Sequence, residues 1–165
     1  MSNSKIAFIG GGNMARSLIG GLVATGMSNN DISVSEPKAD LREKLANDFG
    51  VNALEENTSA VMGASVIVLA VKPQILQEVV TPLGSLAAEA RPLLISVAAG
   101  VISSSIERWV GSQPALIRVM PNTPALIGAG ISALYANSNV GVDQRALAEK
   151  IVTAVGKTVW IKEES

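Results

Sequence analysis

The chain alternates short apolar runs with longer stretches in which apolar side chains return every third or fourth place. The first run, Lys5 to Ile9, contains Ile6, Phe8 and Ile9 and stops at three glycines, Gly10, Gly11 and Gly12. An unbroken apolar run of strand length suits a strand buried on both faces of a parallel sheet. Beyond the glycines, Met14, Leu18 and Leu22 recur at intervals of four with Ala15, Ile19 and Val23 beside them, which marks one apolar face of a helix.

The same reading carries through the rest of the chain. It predicts a strand over Asp31–Pro37 with Ser35 and Glu36 at its tip, and a charged surface helix from Ala39 to Phe49, closed by Gly50. A short strand over Val51–Ala53 and a helical turn or two over Glu55–Met62 come next. Ser65 to Val71 reads as a sheet-centre strand, and Gln74 to Ala90 as helix in pieces, because Pro82 cannot sit in a helix interior. Pro92–Val97 is another buried strand, followed by a helix over Ser103–Val110 whose serine-rich start suits capping. Strands at Ala115–Met120 and Ile131–Ala136, a helix over Val142–Val155 and a last strand at Lys157–Ile161 complete the pattern. Strands and helices in alternation predict an α/β fold, a doubly wound and mostly parallel sheet with helices on both faces and right-handed crossovers. A single domain over residues 1–165 is expected, since this length buries a proper core.

Chemistry enters at the strand ends. Gly10, Gly12 and Ala15 have the spacing G-x-G-x-x-A between a strand and a helix. The first glycine permits a tight turn, the second lets a diphosphate approach the backbone, and the small third residue lets helix and strand pack closely. About 20 residues further on, a second strand should end in a polar residue that meets a ribose, and Ser35-Glu36 stands there. Lys72-Pro73, Ala98-Ala99-Gly100 and the stiff Pro121-Asn122-Thr123-Pro124 turn also follow strands, where ligands of open parallel sheets sit. A Rossmann-type dinucleotide-binding domain is the expectation.

Composition narrows the function classes. With 13 basic and 14 acidic residues and 3% aromatics, nothing suggests a nucleic-acid surface. There is no cysteine and no histidine, which removes disulfides, thiolate nucleophiles, histidine-ligated zinc and a Ser-His-Asp triad from consideration within this chain. Its chemistry is therefore expected to be carried mostly by a cofactor, with no metal. No apolar run reaches the roughly 18 residues of a membrane span, and Met1–Ser4 is too short and polar for a secretory signal. The expected setting is cytoplasmic, without membrane or nucleic-acid partners.

With these segments in place, the chain resembles the amino-terminal domain of pyrroline-5-carboxylate reductases. The resemblance runs through FIGGGNMA, AVKPQ, SVAAG, RVMPNTP and the closing VGKTVW. It implies NAD(P)H-dependent reduction of the C=N bond of 1-pyrroline-5-carboxylate to L-proline, the last step of proline biosynthesis. Hydride then passes from the nicotinamide C4 to the imine carbon. The family's cofactor contacts map onto Ile9, Gly10, Gly11, Gly12, Asn13 and Met14 around the diphosphate, and onto Ser35 and Glu36 at the adenosine ribose. They continue at Asn57, at Ala70, Val71, Lys72 and Pro73, and at Val97, Ala98, Ala99 and Gly100. Met120, Pro121, Asn122 and Thr123 help wall the nicotinamide.

Two departures from the family pattern shape the expectations. Relatives favouring NADPH often carry Ser or Thr where this chain has Glu36, whose carboxylate accepts a bond from a ribose 2′-OH but repels a 2′-phosphate. Nearby Lys38 and Arg42 offset that repulsion, so NADP(H) is expected with NAD(H) accepted alongside. Nothing in the chain corresponds to the family's carboxyl-terminal helical domain, which builds the homo-oligomer and binds the substrate carboxylate. The chain is therefore expected to be monomeric, to bind nucleotide, and to be inactive alone. No proton donor to the ring nitrogen is assigned, although Lys72 stands at a suitable strand end. The competing readings are a non-catalytic nucleotide-binding module and a related NADP-dependent reductase of another substrate.

Overall fold

The computed structural model describes residues 4–162 and residue 164. Eight strands form one sheet in the order β3-β2-β1-β4-β5-β6-β7-β8. They are β1 (Ile6–Ile9), β2 (Ile32–Ser35), β3 (Asn52–Leu54), β4 (Val66–Leu69), β5 (Leu93–Ser96), β6 (Ala115–Met120), β7 (Gly130–Ala136) and β8 (Gly156–Trp160). The helices are α1 (Asn13–Ala24), α2 (Ala39–Phe49), α3 (Asn57–Val61), α4 (Pro73–Val80), α5 (Gly84–Ala90), α6 (Ser103–Val110) and α7 (Val142–Val152).

The expected sheet is present, and its hydrophobic runs are explained by two-sided burial. Neighbouring strand residues point to opposite faces. Phe8 accordingly packs with Leu18, Ile19, Val34 and Leu45 on one side. Ile9 packs with Ile67, Leu69, Leu76 and Ile106 on the other. The chain moves outward from β1 through β2 to β3, then returns to place β4 on the opposite flank of β1. The loops after β1 and β4 therefore diverge and leave a crevice between them at the carboxyl-terminal edge.

Several local expectations are refined. The segment around Pro82 divides into α4, a 3₁₀ turn over Thr81–Leu83, and α5. The last helix stops at Val152 and tightens into a 3₁₀ turn over Thr153–Val155. The short strand lies one residue later than its apolar residues suggest, at Asn52–Leu54, and α3 is confined to Asn57–Val61. β7 runs antiparallel to β6, the one reversal in the sheet. The intervening segment holds only a 3₁₀ turn over Thr123–Ile127, whereas a parallel return needs a crossover of a dozen or more residues. No helix among the described residues is long and apolar enough to cross a membrane.

Candidate functional site

The glycine turn leaves β1 along a path that a side chain would block. Gly10 has φ +96°, and a Cβ there would lie 2.6 Å from the Ala70 carbonyl oxygen at the end of β4. The turn is held from both sides, because Gly10 N–H donates to Ser35 O at 2.9 Å and Ala70 N–H donates to Ile9 O at 2.8 Å. Gly10 is thus required by the protein itself.

Gly12 is different. Its φ of −76° is open to any residue, and a Cβ there meets no protein atom within 4 Å. Gly12 caps α1 without any side-chain hydrogen bond, and the first turn of the helix carries no acidic residue. The first backbone bond back along the helix comes from Arg16 N–H to Gly12 O at 2.9 Å. The amides ahead of Arg16 face outward with the positive end of the helix dipole. Bare backbone, open space and free donors at one helix start fit a bound diphosphate.

That helix start lines a cavity of about 260 Å³ together with the ends of β4 and β5. Its walls are Gly12, Asn13 and Met14, then Ala70, Val71, Lys72 and Pro73, and finally Val97, Ala98 and Ala99. Three of the predicted segments are brought together here, and no acidic side chain is among them. Lys72 is the one charged residue on the wall; it precedes α4, with Pro73 opening the helix. A larger cavity of about 320 Å³ includes Arg91, Gln113 and Asn139, but Pro92, Pro114 and Ala115 place it at the opposite edge of the sheet.

The adenosine-end residues form a separate group. Glu36 follows β2 and is only 7% exposed. Its Oε1 accepts the Gly11 N–H at 3.2 Å and its Oε2 accepts the Lys38 N–H at 3.0 Å. The carboxylate thus folds back against the glycine turn. Arg42 donates from Nη1 to the carbonyls of Glu36 and Pro37 at 2.8 and 2.9 Å, which tethers its guanidinium to this loop. Ser35 Oγ donates to Asn57 Oδ1 at 2.6 Å, tying the end of β2 to the start of α3.

Gly100 and the Met120–Thr123 segment lie at the same edge but outside the cavity wall. Their loop is fixed by Asn122, whose Oδ1 accepts the Ile131 N–H at 3.0 Å. Its 3₁₀ turn is tied to α1 by Ser17 Oγ donating to Leu126 O at 3.1 Å. Sequence patterning missed that second contact, since nothing in the spacing of Ser17 and Leu126 marks them as neighbours. Among the described residues no group of three or more acidic, cysteine or histidine residues is placed to hold a metal ion.

The family described as NADP oxidoreductase, coenzyme F420-dependent, matches residues 5–100, more than half of the chain. This chain belongs to that family. The match covers β1 through β5 and so includes the glycine turn and all three segments of the cavity wall. The chain is 44% identical over its whole length to a pyrroline-5-carboxylate reductase from Pseudomonas aeruginosa, of which it covers 60%. Its fold is similar to that of a pyrroline-5-carboxylate reductase from Coxiella burnetii, with a TM-score of 0.96 and 40% identity over 99% of this chain and 60% of the other. A Plasmodium falciparum pyrroline carboxylate reductase with NADP bound matches at a TM-score of 0.85 and 28% identity, over 99% of this chain and 59% of the other. The chain thus spans about 60% of the length of these relatives.

Proposed function

We propose that this chain binds a reduced nicotinamide dinucleotide along the carboxyl-terminal edge of its sheet and presents it for reduction of 1-pyrroline-5-carboxylate to L-proline. NADP(H) is the cofactor, with NAD(H) accepted alongside. The observation that carries this reading is the open space at Gly12, where the protein gains nothing from glycine and a diphosphate does. Support for the substrate comes from the relatives in Pseudomonas aeruginosa and Coxiella burnetii, both pyrroline-5-carboxylate reductases.

The cofactor supplies the hydride; the chain supplies binding, orientation and shelter from water. Amides at Gly12, Asn13 and Met14 hold the diphosphate, with Gly10 and Gly11 shaping the turn beneath it. Glu36 and Asn57 receive the adenosine ribose, with the buried Ser35 hydroxyl holding Asn57 in place. Glu36 has both carboxylate oxygens on backbone N–H groups, so its negative charge stays fixed where a 2′-phosphate would arrive. Arg42, tethered beside it, supplies the compensating positive charge. Ala70–Pro73 and Val97–Ala99 wall the nicotinamide half, with Gly100 and Met120–Thr123 on the same edge beyond them, and Lys72 is the one charged residue on the wall. The work is done in the cytoplasm.

The test is turnover. In the proposed division of labour the residues beyond this 60% share complete the substrate site, so the 165-residue chain binds NADPH while reducing pyrroline-5-carboxylate far below an ordinary enzyme rate of about 10 per second. Fusing the portion of the Pseudomonas aeruginosa relative that lies outside the match should raise turnover by orders of magnitude. A fused chain that binds NADPH but reduces other imines or carbonyls in preference would instead favour a related reductase.

A further inference from the structure

Polar groups also converge away from the cavity, around Arg118. This residue lies within β6 and its side chain is 4% exposed. Alternation along the strand puts it on the face of Leu116, which packs with Ile106 and Val110 of α6. A buried guanidinium is costly unless an opposite charge meets it. Here the charge comes from the far end of the chain, because Arg118 Nη1 donates to Glu164 Oε1 at 2.7 Å. The same oxygen accepts the backbone N–H of Ser103, the first residue of α6, at 2.5 Å. Two more donors belong to these residues. Arg118 Nε and Ser103 Oγ are the buried side-chain nitrogen and oxygen atoms that have no hydrogen-bond partner among the described residues. Two further groups able to donate thus stand beside the carboxylate, as suits a carboxylate-binding seat.

The serine-rich start of α6 accordingly does not cap the helix. Ile102 occupies the cap position without a side-chain bond, and the carboxylate of Glu164 takes that role from a distance.

The route of the tail is consistent with this seat. Ile161 N–H donates to Leu134 O at 2.9 Å, so the chain still borders β7 at that point. Glu164, a few residues on, reaches β6 and α6. From β8 to β6 is two strand spacings, about 9.5 Å, and three extended residues span about 10 Å. Glu164 is therefore within reach of Arg118 and the start of α6.

We infer that Arg118 and the amino end of α6 form a carboxylate seat that clamps the segment after β8, with Glu164 as its resident ligand. The turn over Val97–Gly100, part of which walls the 260 Å³ cavity, leads directly into α6. The clamp therefore ties the tail to the wall of the candidate cofactor site. This inference stands on the ion pair and the orphaned donors and is independent of which ligand the cavity takes.

The chain contains no cysteine, so a single nitroxide label on Lys162→Cys reports the tail alone. Spin-label spectra are compared for the labelled chain, for Glu164→Ala, for Arg118→Met and for both together. The labelled chain should show an immobilised component that is lost in Glu164→Ala, while far-ultraviolet dichroism stays unchanged. In the Arg118→Met background the further change Glu164→Ala should have no effect. A label equally immobile with and without Glu164 overturns the seat. So does a Glu164→Ala effect that persists undiminished beside Arg118→Met. If Arg118→Met does not fold, the Glu164→Ala comparison alone decides, since its substitution lies in the tail.

Discussion

Alanine at Gly10 and alanine at Gly12 should separate what the fold needs from what a ligand needs. At Gly10 the new Cβ meets the Ala70 carbonyl oxygen at 2.6 Å on a backbone of φ +96°. Backbone strain of this kind costs about 1–3 kcal/mol, and displacement of the β4 end adds to it. With ~2–4 °C lost per kcal/mol in a domain of this size, the strain alone should lower the unfolding midpoint of Gly10→Ala by about 2–12 °C. At Gly12 the φ is ordinary and the Cβ meets nothing. The gain from a less flexible unfolded chain, about 0.4–1 kcal/mol, nearly offsets the poorer cap, so the midpoint should hold within about 2 °C. Binding should reverse the order of damage. A methyl group forced against a diphosphate costs about 1–3 kcal/mol, as overpacking does, which weakens NADPH and NADH binding by about 5- to 150-fold. Thermal unfolding followed by dichroism and nucleotide titration by calorimetry check the two halves. A Gly12→Ala chain that binds either nucleotide as tightly as its parent refutes the reasoning, because the open space would then have no ligand to explain it.

Glu36→Ser should shift the affinity ratio toward NADPH and, by freeing the Gly11 and Lys38 amides, reduce stability by about 1–3 kcal/mol; an unchanged NADH-to-NADPH ratio removes Glu36 as the discriminator. Asn57→Ala strips the acceptor from the buried Ser35 hydroxyl, and urea unfolding should show a loss of about 1–3 kcal/mol. Gly130→Ala places a Cβ 2.7 Å from the backbone of Ala125 and should loosen the Thr123–Ile127 turn, seen as faster amide exchange there than in α2. Exchange rising equally in both places would mean global destabilisation instead.

Strands buried on both faces announce themselves as unbroken apolar runs, which is why β1, β4 and β5 were legible from Ile6, Val66 and Leu93 onward. The glycine turn was legible for a related reason: Gly10 answers to local backbone geometry, and its neighbours on either side form recognisable elements. Strand partners are another matter. Nothing in the alternation of Ile131 to Ala136 encodes that β7 runs against β6; that follows from how little chain connects them. Glu36 could be placed at the end of β2 from spacing alone. That its carboxylate would fold back onto the Gly11 amide depends on a contact 25 residues away in sequence. The start of α6 misled for the same reason, since its three serines have cap chemistry but the acceptor at Ser103 N–H comes from Glu164.

Calorimetric titration of the folded 165-residue chain with NADPH, and separately with NADH, tests most directly whether the bare start of α1 holds a dinucleotide. Expected is saturable binding of one nucleotide per chain, lost when Gly12 carries a methyl group. A folded chain that takes up neither nucleotide, at concentrations well above those that saturate ordinary dehydrogenases, would contradict it.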